Sequence, residues 1–134
     1  MLSKKTQYAL RAMSYLGARY NKGPIQIIEI AKNKNIPLKF LEVILLELKI
    51  AGVLDSKKGK GGGYFLPEKP EKTALAKIIR TVNGPIAMLP CVSLYFYEKC
   101  PDCDEKVCHI NRTFAEARDA VLKVLEKRTV KDII

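Results

Sequence analysis

The chain has 134 residues, 48% of them apolar, which supports one domain, or a small domain with an appended element, and excludes a disordered chain. No run approaches the roughly 20 apolar residues of a membrane span, and residues 1–5 lack the features of a signal peptide, so the expected location is the cytoplasm, away from membranes. The net charge of +10 is uneven: residues 1–66 carry twelve Lys/Arg against four Asp/Glu and residues 67–134 twelve against ten, which suits the first half to a polyanion.

In chain order, Ser3 can cap a helix expected over residues 4–20, on which Tyr8, Ala9, Ala12, Met13 and Leu16 make one apolar face. Residues 21–24, with Gly23 and Pro24, end it. A short segment over residues 25–31 follows, with Ile27, Ile30 and Ala31 on one side, and residues 33–37 form a turn. A longer helix is expected over residues 38–51, with Leu41, Ile44, Leu45 and Leu48 facing the core and Gly52 stopping it.

Two short helices joined by a tight turn, the second opening on polar residues, form a helix-turn-helix. The first turn of its second helix is where such motifs present side chains to base edges, which makes Lys39 an expected DNA contact. Phe40 reads equally as a DNA-facing residue or as a staple on the turn. Glu42 reads equally as an acceptor for a cytosine amino group or as a solvated helix residue. Val43, Leu46 and Ile50 make a second apolar stripe, and a helix apolar on two faces needs a second cover; a partner subunit is an economical one.

Two short apolar strands then flank a tip with three lysines, Lys57, Lys58 and Lys60, and four glycines, which reads as a β-hairpin wing. The glycines let backbone approach phosphates and the lysines supply charge, so a slender basic tip can enter a minor groove. The mixture is not a nucleotide-binding P-loop, which requires G-x-x-x-x-G-K-[ST] between a strand and a helix.

Residues 67–70 make a linker, and a helix is expected over residues 73–82 with Leu75, Ile78 and Ile79 apolar. All four cysteines then fall within eighteen residues, as Cys91-x8-Cys100-x2-Cys103-x4-Cys108, and the only histidine, His109, follows directly. Tyr95, Phe96 and Tyr97 are expected to anchor this loop to the core, shielding of a bound cluster from solvent being the other reading, and Asp102, Asp104 and Glu105 to solvate it. A last helix is expected over residues 110–127. Phe114, Ala117, Val121 and Val124 form a short heptad-like seam on it, widened by Leu122 and Leu125, which suits a dimer interface or packing on its own domain.

Clustered soft ligands in a cytosolic chain point to a metal or redox site. Four thiolates are the common requirement for a 2Fe–2S or 4Fe–4S iron–sulfur cluster, here held by Cys100, Cys103 and Cys108 with Cys91 or His109 as the fourth ligand. A structural zinc on the same residues is one alternative, and a metal-free thiol switch between Cys100 and Cys103 is another. Beyond the cysteines and one histidine there is no nucleophile–base pair, phosphate loop or paired carboxylate, so an enzyme is not expected.

Residues 2–13, Ile30-Ala31, residues 36–42 and 48–54, the wing Gly59-Lys60-Gly61-Gly62-Gly63-Tyr64-Phe65-Leu66 and the end Thr129-Val130-Lys131-Asp132-Ile133-Ile134 resemble the Rrf-type winged-helix transcriptional regulator family (IscR/NsrR/CymR-like). The resemblance implies a mainly α fold with a small β-hairpin wing, a winged helix-turn-helix plus a long C-terminal dimerisation helix. It also implies a homodimer, a repressor's role, and a double-stranded DNA operator with dyad symmetry. Positions matching the family's DNA contacts are Pro37, Lys39, Phe40, Glu42 and Lys58.

Cluster-holding members of the family use three cysteines here and a non-cysteine fourth ligand, either a histidine past the last cysteine or an N-terminal carboxylate. This chain has Asn111 at the first position and no charge on Thr6, Gln7 or Tyr8 at the second, but it offers a fourth cysteine. The expected division is a DNA-binding domain over 1–66, a linker and connecting helix over 67–89, a cysteine-rich sensor over 90–109 and a dimerisation helix and tail over 110–134. A winged-helix module that binds protein or RNA is the reading of a different class.

Overall fold

A computed structural model describes residues 2–134. The first helix, α1 (Lys4–Ala18), begins where the Ser3 hydroxyl accepts the main-chain N–H of Thr6 at 3.2 Å, satisfying one of the donors a helix start leaves free. Ala9, Ala12, Met13 and Leu16 are fully buried, as their spacing requires, and Tyr15 joins them. α1 ends two residues earlier than expected, in turns at Arg19 and Tyr20.

α2 (Ile27–Lys34) starts later and runs further than the sequence pattern suggests. Ile25 is taken instead by a β-bridge to the wing: Ile25 N–H donates to Tyr64 O and Tyr64 N–H to Ile25 O, both at 2.8 Å. The approach is so close that a Cβ on Gly63 would sit on the Ile25 carbonyl, which is why glycine stands there, at φ 144°. The helix-turn-helix turn is closed by Asn35 at φ 52°, a left-handed position that asparagine tolerates.

α3 (Leu38–Ile50) buries Leu41, Ile44, Leu45 and Leu48 completely. The wing is the antiparallel pair β1 (Asp55–Lys57) and β2 (Gly63–Phe65), with Ser56 opposite Tyr64. α4 (Leu75–Val82) turns Leu75, Ile78 and Val82 into the same core that α1, α2 and α3 enclose. α5 (His109–Lys127) is the longest helix.

Short 3₁₀ turns lie at Pro70–Lys72, Pro90–Val92 and Val130–Ile133. The last of these folds the chain end back on α1. Val130 is fully buried, and Ser14 Oγ donates to Ile133 O at 2.7 Å. The protein is thus mainly helical, with one hairpin and a long C-terminal helix. No helix among the described residues is long and apolar enough to cross a membrane.

Candidate nucleic-acid interface and cysteine site

Pro37 precedes α3 and Lys39, Phe40 and Glu42 occupy its opening turns, all exposed, with Phe40 at 51%. Lys57, Lys58 and Lys60 are exposed at and beside the wing tip. Tyr8 does not join the buried face of α1. It lies half-buried at the edge, with its ring 5.9 Å from that of Phe40 in an edge-to-face contact. Lys4 and Arg11 lie over the Tyr8 ring at 5.3 and 5.5 Å.

Tyr8 therefore touches the first turn of α3 from α1 through the Phe40 ring, half of which stays on the surface. Lys5 and Glu47 form a second contact between these helices at 2.7 Å, and Glu47 Oε2 is buried without a partner. A partly exposed pair of this kind contributes little to stability.

All four cysteines are free thiols and line one cavity of about 380 Å³, together with Pro90, Asp102, Ile110 and Asn111. His109 lies at the first position of α5 and is exposed, outside that lining. Cys108 caps α5: its sulfur accepts the main-chain N–H of Asn111 at 3.4 Å. The Asn111 side-chain amide donates to Cys91 Sγ, also at 3.4 Å.

The thiols differ in acidity. The Asn111 N–H at Cys108 lowers its pKa, while hydrogen bonding to Cys100, desolvation and hydrogen bonding to Cys108 push Cys103 up to about 12. Among the described residues, no three His, Cys, Asp or Glu side chains gather closely enough to hold one metal ion.

Glu105 organises the loop between these sulfurs. Its Oε1 accepts the Cys100 N–H at 3.0 Å and its Oε2 accepts the Tyr97 hydroxyl at 2.7 Å. The Cys100 N–H, then Tyr97, hold the Glu105 carboxyl below its ordinary range. Glu105, expected only to solvate the loop, binds it instead, and nothing in the sequence pattern marks a carboxylate that turns back on its own loop.

The three aromatics correct another expectation. Tyr95, Phe96 and Tyr97 are exposed and do not anchor the loop in the core; Tyr95 instead takes the Arg80 guanidinium 4.2 Å from its ring centre.

The seam of α5 is open. Leu122 alone on this helix is buried, while Val121 and Val124 are exposed. Beside them runs an apolar groove of about 320 Å³ between α4 and α5, lined by Ile79, Met88, Ala117, Val121 and Leu125 among others. The second stripe of α3 is open too, Ile50 being 78% exposed.

Comparison with known proteins gives a consistent result. Residues 2–134 match the Rrf2 family model, described as an iron-dependent transcriptional regulator. An rrf2-like protein of Rhodobacter capsulatus is 38% identical over 138 aligned residues, covering 100% of this chain and 92% of the relative. The HTH-type transcriptional regulator CymR of Bacillus subtilis is 30% identical, covering 98% of this chain and 88% of its own. The solved structure of CymR, the global cysteine regulator of B. subtilis, superposes with a TM-score of 0.81 at 29% identity, covering 99% of this chain and 95% of that one.

Proposed function

Because the chain belongs to the Rrf2 family of helix-turn-helix transcriptional regulators, and is not an enzyme, we propose that it is a homodimeric repressor controlled by an iron–sulfur cluster in its cysteine cavity. In this reading residues 1–66 bind a dyad-symmetric operator in the cytoplasm, residues 67–89 connect, residues 90–109 sense and residues 110–134 dimerise. Pro37, Lys39, Phe40 and Glu42 face base edges, and Lys57, Lys58 and Lys60 meet phosphates in the flanking minor groove.

The observation that carries the proposal is where the cysteines lie. All four line one cavity at the root of α5, a nineteen-residue helix with a single buried residue. A helix so poorly covered by its own chain needs a partner, and the exposed Val121 and Val124 with the adjacent groove provide the apolar surface for one.

The donor set fits the cofactor. Soft thiolates suit iron–sulfur chemistry, and all four line one cavity, while no three gather at one point as a tetrahedral zinc with donors at about 2.3 Å requires. Cys100, Cys103 and Cys108, with Cys91 or His109, would hold the group. It would supply an electron-transfer centre sensitive to oxidants and to iron supply.

The chain's own residues connect this site to DNA. Cys108 caps α5, so a change in the ligation of its sulfur shifts the first turn of that helix. Arg118 on α5 donates to Val92 O at 2.7 Å, and Arg80 on α4 pairs with Glu126 of α5 at 3.1 Å, so the helix moves with α4. Asn83 at the end of α4 accepts the Thr6 hydroxyl at 2.9 Å, passing displacement to α1 and thence to α3. Coupling of this kind is typically worth about 1–3 kcal/mol, or a 5–150-fold change in affinity.

The metal-free thiol switch has one observation in its favour: Cys100 and Cys103 are both free thiols and line the same cavity. Closing a Cys100–Cys103 disulfide would release two protons and pass two electrons to an oxidant such as a peroxide. One experiment separates the readings: anaerobic purification with an absorption spectrum and iron, sulfide and zinc quantification. Iron and sulfide in equal amounts support the cluster. A colourless protein that resists reconstitution with iron and sulfide overturns it, zinc then indicating the mononuclear site and no metal the thiol switch. Gel-shift competition tests operator reading, since no preference between genomic fragments and random duplex would indicate a protein- or RNA-binding module.

A further inference from the structure

We propose that Asn111 is the positioning residue of the cysteine cavity, holding Cys91, rather than His109, as the fourth ligand so that one chain supplies all four sulfurs. The inference rests on the cluster reading above. One residue makes both contacts: the Asn111 carboxamide donates to Cys91 Sγ and its main-chain N–H to Cys108 Sγ, each at 3.4 Å. The first and last cysteines of the segment are thus tied to a single residue of the first turn of α5, and both line the cavity. His109, two residues earlier on the same turn, is exposed and outside it.

The residue type fits the task. A thiolate in a cavity needs N–H donors, and a carboxamide supplies one without adding a charge that competes for the metal. The backbone does not depend on this contact, because Arg118 independently holds the Pro90–Val92 turn to α5 through Val92 O at 2.7 Å. Asn111 therefore aims the Cys91 side chain and does not carry the turn.

Asn111→Asp separates the two roles. It keeps the size and shape, and an acid in the first turn suits the positive end of the helix, so α5 is retained. It also replaces the N–H facing Cys91 with a carboxylate. The assay is cysteine alkylation by iodoacetamide, read by peptide mass spectrometry, on the full chain reconstituted anaerobically with iron and sulfide.

In the wild type all four cysteines should be protected. In Asn111→Asp, Cys91 should react roughly tenfold faster or more, the scale of a lost hydrogen bond to a charged group, with Cys100, Cys103 and Cys108 still protected. Asn111→Leu, which removes the donor without adding charge, should give the same release, and Asn111→Gln should restore protection. Equal protection of Cys91 in Asn111→Asp, or a Cys91 that reacts in the loaded wild type as in the metal-free chain, overturns the inference while leaving the cluster reading standing. Loss of the cluster in His109→Ala but not in Cys91→Ser also overturns it. A wild type that takes up no iron and sulfide overturns the cluster reading, and this inference with it.

Discussion

Gly17→Ala tests whether the chain end is packed on α1 as tightly as the geometry requires. Alanine in place of glycine stabilises a helix interior by about 1 kcal/mol, and by less at Gly17, the next-to-last residue of α1. Here the added Cβ would lie 2.5 Å from Val130 Cγ1 and 3.4 Å from the Ile133–Ile134 end of the chain at Ile134. Val130 is fully buried and β-branched, with no flexible arm to yield, so something must shift.

Overpacking of that kind costs about 1–3 kcal/mol, which exceeds the helix gain. The expected net is a destabilisation of about 1 kcal/mol, or a fall in Tm of roughly 3–6 °C for a domain of this size. The sign should reverse in a Val130→Ala background, where the space is vacant and only the helix gain remains. Thermal melts of the four proteins in this double-mutant cycle decide the matter. If Gly17→Ala stabilises equally in both backgrounds, the contact between the chain end and α1 is not as close as described.

Lys58→Ala should weaken DNA binding across sequences and reduce the slope of log affinity against log salt by about 0.9, as expected for one lost phosphate contact; fluorescence anisotropy over a salt series measures it, and an unchanged slope removes Lys58 from the interface. Val124→Glu replaces an exposed apolar side chain with a charge, so the helix content should stay as it is while gel filtration shows a monomer. Dimerisation unaffected by the charge would move the interface elsewhere. Asp132 accepts the Thr129 N–H at 2.8 Å, and this bond, then Arg128, lowers its pKa below the ordinary 3.8. It therefore contributes stability above that value and loses it as pH falls through the lowered folded value. Asp132→Asn should flatten Tm against pH between about 4 and 2, and an identical acid limb in both proteins would show that another group carries it.

Much of the first half was legible because its elements obey short-range rules. Ser3 caps α1, Leu41, Ile44, Leu45 and Leu48 recur at helical spacing and are all buried, and the glycine–lysine run forms the hairpin tip. The limits of α2 were misjudged, since Ile25 is claimed by Tyr64, which lies thirty-nine residues on. No local pattern announces such a bridge. The three tyrosine and phenylalanine residues of the cysteine loop differ similarly: an aromatic run predicts burial only if a recess exists to receive it, and all three stay exposed.

For the cysteine site, sequence alone determined the inventory: four thiols and one histidine in nineteen residues, of a type and spacing that suit iron and sulfide. Spacing along a loop cannot say which of these side chains share a volume, because a chain can close in many ways at similar cost. The tertiary structure decided that. It placed all four cysteines around one cavity with the Asn111 carboxamide against Cys91, left His109 outside, and turned Glu105 back on its own loop to Cys100.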